Sequence, residues 1–171
     1  LAALKTTAIR DGDHYVVNGT KIFTSGADTA DFVWLAARTD PDAARHKGIS
    51  ILIVDTKLPG FSASPIHTVN GGHTCMSYYE NVRVPVSNAL GHRGSGHQAA
   101  QDRLGAGRVF HCMNAVGQMW RAFDLMVQRS IEREVHGGKL ETKQFIQGFI
   151  ADSFMDIQSA RLMTLHCAHV M

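Results

Sequence analysis

The sequence has no apolar run approaching the roughly 20 residues of a membrane-spanning helix, no Cys-x-x-Cys pair and no cluster of basic residues. The first absence argues against a helical membrane span. The third removes the electrostatic footprint that nucleic-acid binding needs, since Lys and Arg are scattered and the formal charge is only +2. The cysteines are Cys75, Cys112 and Cys167, odd in number and widely spaced. They read as reduced thiols of a cytoplasmic or organelle-matrix protein. No signal peptide is visible, although a chain that begins at Leu1 leaves an upstream one open. Among ten histidines the nearest approach to ligand spacing is His166 with His169, with Cys167 between them. A zinc site wants three or four protein ligands and no third is evident there, so the expectation is no metal. What is present is a 171-residue chain that is 44% hydrophobic. That is enough for one domain, or one domain and part of another, and too apolar for a mainly disordered chain.

Residues 4 to 90 read as β structure. Asp11-Gly12 predicts a hairpin turn after a strand over Lys5 to Arg10, and Asn18-Gly19 predicts a second hairpin joining Tyr15-Val16-Val17 to Lys21-Ile22-Phe23. Phe32 to Ala37 and Ile49 to Val54 are nearly continuous apolar runs, as expected of strands covered on both faces. Leu58-Pro59-Gly60 and Asn70-Gly71-Gly72 bracket a strand over Phe61 to Val69, and a long strand from Cys75 to Val84 stops at Pro85. Short strands at this spacing indicate a sandwich or barrel.

From Arg108 the apolar period becomes helical, through Val109, Cys112, Val116, Trp120, Phe123, Val127 and Ile131. The glycines of His136-Gly137-Gly138 are a stop signal, and a second helix is expected from Glu141. The expected class is therefore α+β, an antiparallel β-barrel or sandwich over 1–91, a glycine-rich linker over 92–107, and two long antiparallel helices over 108–171. Two such helices cannot bury both their faces, so their Met, Phe and Trp side chains imply further helices or a partner chain.

Two stretches carry chemistry. Phe23-Thr24-Ser25-Gly26 sets an aromatic ring beside hydroxyl groups and unencumbered backbone N–H groups at a strand end, where a flat heterocycle could be flanked; a polar turn after a core phenylalanine accounts for the same residues. Tyr15 to Gly26 resembles the flavin-contacting strand pair of the acyl-CoA dehydrogenases, and Tyr79 to Asn88 resembles the strand that closes that family's middle domain. The resemblance covers nearly the whole chain. It implies an internal fragment of a protein about twice as long, with a helical domain before Leu1 and two further helices of a four-helix bundle after Met171.

The implied reaction is FAD-dependent α,β-dehydrogenation of an acyl-CoA thioester, with an electron-accepting flavoprotein as redox partner and a homodimer or homotetramer as assembly. The alternative is a non-catalytic domain of the same fold that kept the flavin or acyl-CoA surface, or serves assembly; a small β-barrel carrier of an apolar ligand fits poorly with two long helices. By resemblance, Phe23, Thr24 and Ser25 pack on the isoalloxazine and hydrogen-bond it, with Phe in place of the usual Trp and Thr24 in place of an aliphatic residue. Arg133 and Gln144 match an arginine and a glutamine that reach the FAD of a neighbouring subunit, although His136 stands where Phe is usual. An ordinary cation at a helix C-terminus explains Arg133 equally well. Arg108 corresponds to an arginine near the substrate thioester, and the loop Arg45-His46-Lys47 is either near coenzyme A phosphates or simply exposed. The family places its catalytic Glu immediately before the residue matching Arg108, or much later in the chain. Here that first position is Gly107, so no carboxylate in this sequence is expected to be the base.

Overall fold

The computed structural model describes residues 3–171. Seven strands form one sheet: β1 (Thr7–Asp11), β2 (His14–Lys21), β3 (Phe32–Arg38), β4 (Ile49–Asp55), β5 (Phe61–His67), β6 (His73–Pro85) and β7 (Ala89–Leu90), in the order β5-β6-β2-β1-β3-β4-β7. The sheet keeps two edges, β5 and β7, so it is sandwich-like rather than closed. All pairings are antiparallel except β1 with β3, which touch in parallel at Thr7 and Arg38. The helical part comprises α1 (Gly96–Glu132), a two-residue hairpin of β8 (Glu134–Val135) and β9 (Gly138–Lys139), and α2 (Gln144–Val170). The chain divides into two compact units, one ending at Asp102 and the other running Arg103–Met171.

The first unit's core follows the two-residue period of its strands. Ala8, Tyr15, Val17, Leu35, Ala37, Leu52, Val54, Tyr79, Val82 and Val84 pack together on the inner face. On β6 the alternating buried positions run Cys75, Ser77, Tyr79 and then Val82, Val84, with Thr74 buried beside them on the other face. The alternation slips by one residue between Tyr79 and Val82. That slip is a β-bulge: Val17 pairs with Val82 and Gly19 with Tyr79, so Asn18 faces both Glu80 and Asn81.

The bulge overturns the expected hairpin at Asn18-Gly19. Here β2 runs straight through both residues, and the strand does not reach Ile22-Phe23. The Asn18 side chain is spent across the sheet, accepting from the Asn81 N–H (2.9 Å) and donating to Asn81 Oδ1 (3.1 Å), while Asn81 adopts φ +53°. Gly19 is needed for a close approach: a Cβ there would come 2.9 Å from Thr6 Cα, at φ +136°. The Asp11-Gly12 turn does form, with Asp11 paired to His14.

Two other expectations change. β4 is buried along nearly its whole length, but β3 alternates and exposes Phe32 and Trp34, so it is covered on one face only. The segment from Gly96 to Gly107 is helix rather than linker, because α1 begins at Gly96 and not at Arg108. At 37 residues α1 is about 55 Å long. Its end is tighter than a simple glycine stop: His136 (φ +48°) and Gly137 (φ +75°) both take left-handed backbone, the requirement of a type I′ turn, and close β8 on β9.

In the second unit Trp120, Phe123 and Phe154 form an aromatic cluster with ring centroids 5.6 to 6.1 Å apart. Val116 and Ile157 are buried, whereas Phe145, Phe149, Leu162 and Met163 are exposed within this chain. Among the described residues no helix is long and apolar enough to cross a membrane.

Candidate functional site

Beyond Lys21 the chain leaves the ladder but continues beside β6. Phe23 takes φ +63°, a left-handed conformation that costs an L-residue about 1–2 kcal/mol, and its ring is 69% exposed. Strain of this kind persists only where the surrounding structure holds it, and here it turns an aromatic ring to solvent instead of into the core. The next residues are tied down. The Thr24 N–H donates to the Cys75 carbonyl at 2.8 Å, Thr24 Oγ1 shares a hydrogen bond with Ser77 Oγ at 3.1 Å, and Ser25 Oγ shares one with Thr74 Oγ1 at 3.1 Å.

Beside this segment lies a cleft of about 240 Å³, lined among others by Lys21, Phe23, Thr24, Trp34, Ala36 and Tyr79. Tyr79 is almost wholly buried, its hydroxyl makes no hydrogen bond of good geometry although the Ser77 side chain is within its reach, and burial pushes the phenol above its ordinary range. It therefore stays a protonated O–H. Burial likewise lowers the Lys21 ammonium. Flat aromatic walls, a fixed hydroxyl pair and a lysine suit the face and edge of a planar, acceptor-rich heterocycle such as a flavin.

In the second unit Arg108 lies within α1, more than three turns past the helix start, and lines a groove of about 460 Å³ between α1 and α2 with Val109, Cys112, Val116, Met163 and Cys167. Arg133 is exposed just past α1. Its N–H donates to the Arg129 carbonyl at 3.0 Å, and its own carbonyl accepts from the Leu140 N–H at 2.7 Å. Gln144 opens α2, so Arg133 and Gln144 flank the small hairpin together. Arg108 and Arg133 are separated by roughly 37 Å of helix, too far to hold one group. Gly107 has open space around it, with nothing within 4 Å of a Cβ placed there. Arg45, His46 and Lys47 form an exposed basic turn.

Sequence reasoning did not find Tyr79 as a site residue, because an aromatic in an alternating strand reads as core. It also missed the convergence of Asp28, His73 and Cys75, whose donor atoms all lie within 4.8 Å of one another. Forty-five residues separate Asp28 from His73, and only the register of the post-β2 segment against β6 joins them.

Residues 1–82 match the family model for the acyl-CoA dehydrogenase middle domain and residues 94–171 match that for the acyl-CoA dehydrogenase C-terminal domain. Acyl-CoA dehydrogenase FadE29 of Mycobacterium tuberculosis is 57% identical over 110 residues, which is 64% of this chain and 28% of that protein. The probable acyl-CoA dehydrogenase FadE2 of the same organism is 42% identical over 167 residues, 94% of this chain and 41% of that one. A solved steroid acyl-CoA dehydrogenase variant, Tcur3481-Tcur3483 G363A, superimposes with a TM-score of 0.86 at 41% identity over 98% of this chain and 42% of its own. The glutaryl-coenzyme A dehydrogenase complex with glutaryl-CoA does so with a TM-score of 0.86 at 29% identity, over 98% and 43%. The chain thus spans less than half the length of these relatives. Proteins of this family are FAD-dependent flavoproteins of the oxidoreductase class. Matched along both its sheet unit and its helices, the chain belongs to the acyl-CoA dehydrogenase family.

Proposed function

We propose that this chain supplies the flavin-holding β-unit and part of the helical bundle of an enzyme that α,β-dehydrogenates an acyl-CoA thioester. The observation that carries the reading is the Phe23 cleft, with its strained exposed ring beside the tied-down Thr24 and Ser25, in a chain of this family. FAD, when bound, supplies the acceptor for the β-hydrogen. The chain's own residues do the rest of what lies within it: Phe23 offers a flat wall, the Thr24 and Ser25 segment presents fixed hydroxyls and backbone donors, and Arg108 brings positive charge to the apolar groove. Arg133 and Gln144 are suited to the pyrophosphate of an FAD held by a second copy, since a guanidinium can donate two parallel hydrogen bonds.

The carboxylate that removes the α-proton lies outside this stretch. Gly107 has no side chain to abstract a proton, and none of Phe23, Thr24, Ser25, Arg108, Arg133 and Gln144 carries a carboxylate. Acyl-CoA, an electron-accepting flavoprotein and further copies of the chain complete the proposed set of partners, in a cytoplasmic or organelle-matrix setting. The names of two structural relatives suggest steroid and glutaryl thioesters as first substrates to try.

The test is steady-state reduction of an artificial dye by the full-length, flavin-loaded protein with a panel of acyl-CoA thioesters, with the enoyl product identified by mass. Turnover on at least one member supports the reading. Flavin retained with no turnover on any member would replace it by a non-catalytic binding domain.

A further inference from the structure

Three donor atoms of different chemistry converge outside the cleft. His73 and Cys75 are two residues apart on β6 and so share a face, while Thr74 between them turns the other way to meet Ser25. Asp28, on the turn that follows Thr24-Ser25, reaches between them. Its Oδ2 is 2.8 Å from His73 Nε2, and its Oδ1 accepts from Cys75 Sγ at 3.3 Å. The sulfur is fully buried, whereas the Asp28 and His73 side chains are 27% and 42% exposed. The arrangement is a thiol floor with a carboxylate and an imidazole on an open rim. Asp28 also lines a small polar cleft with Thr56 and Ser62.

We propose that Asp28, His73 and Cys75 form a binding site for a borderline divalent cation of the zinc type, completed by water in the fourth position. One oxygen, one nitrogen and one sulfur is a donor set that suits such an ion and suits hard cations such as magnesium or calcium poorly. With bonds of the usual lengths, the edges of a tetrahedron around zinc measure roughly 3.3–3.6 Å. The 2.8 and 3.3 Å separations are made by different oxygens of Asp28, so with either oxygen as the ligand one edge comes close to these lengths and the other is longer. With one ligand atom from each residue, all three donors lie within 4.8 Å of one another, and small rotations of the partly exposed Asp28 and His73 side chains are needed to draw them around one ion. On binding, the Cys75 S–H bond breaks, its proton leaves to solvent and a metal–sulfur bond forms, so no oxidant or reductant is involved. The bound ion ties the turn after Ser25 to β6, the strand that also anchors Thr24 and carries Tyr79.

The experiment uses the full-length protein, stripped with a chelator and titrated with Co²⁺ alone and then with Zn²⁺. One equivalent of Co²⁺ should produce a thiolate-to-cobalt charge-transfer band that Zn²⁺ abolishes. His73→Gln, at an exposed position that leaves the core intact, should weaken Co²⁺ affinity by at least about tenfold, since loss of a group behind a ligand alone costs that much. Cys75→Ser should remove the band, and Cys112→Ser with Cys167→Ser should leave it unchanged. The absence of a thiolate band in the wild-type protein would overturn the proposal. So would a band that persists in Cys75→Ser and is lost with Cys112 and Cys167.

Discussion

At the scale of single residues, the two glycines with opposite environments separate backbone necessity from helix cost. Gly19→Ala forces a Cβ to 2.9 Å from Thr6 Cα at φ +136°, so it should destabilise the protein by about 1–3 kcal/mol. Gly107→Ala meets nothing within 4 Å inside α1 and should stabilise it by about 0.5–1 kcal/mol. Urea unfolding of the two variants checks both signs at once. Tyr79→Phe is the third case: the hydroxyl is buried with only the Ser77 side chain in reach and no bond of good geometry, so its removal should change the stability of the flavin-free protein by no more than about 1 kcal/mol. The same change should lower flavin affinity if the phenol donates to the cofactor, a difference read by flavin fluorescence on titration. These residues also show what a sequence conceals. Asn18-Gly19 carries the strongest hairpin signal in the chain, yet it forms a bulge, because the phase slip on β6 that demands it lies sixty residues away.

At the scale of elements, periodicity was informative and boundaries were not. The continuous apolar run of β4, the long strand that stops at Pro85 and the helical period after Arg108 correctly announce strand and helix. The start of α1 at Gly96 was hidden because glycine is a poor helix former and Gly105 and Gly107 read as breaks; the continuous run of backbone bonds overrides that weak local preference. β3 looked buried on both faces because Phe32 and Trp34 are apolar, and only the fold reveals that they face outward. The short hairpin between α1 and α2 is where the element scale meets function. Arg133→Ala should preserve helix content and weaken FAD retention by ~10- to 150-fold, the equivalent of roughly 1.5–3 kcal/mol for one charge-assisted contact. Arg133→Lys should recover part of that loss, because an ammonium keeps the charge without the paired geometry. Equal flavin content in all three proteins, measured by absorbance, would leave Arg133 as a helix-end cation.

At the scale of the whole molecule, the exposed Phe145, Phe149, Leu162 and Met163 make the α1–α2 pair an unfinished bundle within this chain. If a second copy contributes to the flavin site, flavin loss and subunit dissociation are linked, each promoting the other. Light scattering before and after flavin removal should then register a fall in mass. The family was legible from two short motifs; the cleft was only half legible, since Phe23, Thr24 and Ser25 are contiguous whereas Trp34 and Tyr79 arrive from strands distant in sequence. The account's central claim is that the Phe23 cleft holds the flavin that oxidises an acyl-CoA. The most direct measurement is anaerobic titration of the full-length, yellow protein with acyl-CoA thioesters, followed by the flavin absorbance, for the wild type and for Phe23→Ala. The account predicts stoichiometric bleaching in the wild type and reduced flavin content in the variant. Wild-type flavin content in Phe23→Ala, or a flavin that no acyl-CoA bleaches, would contradict it.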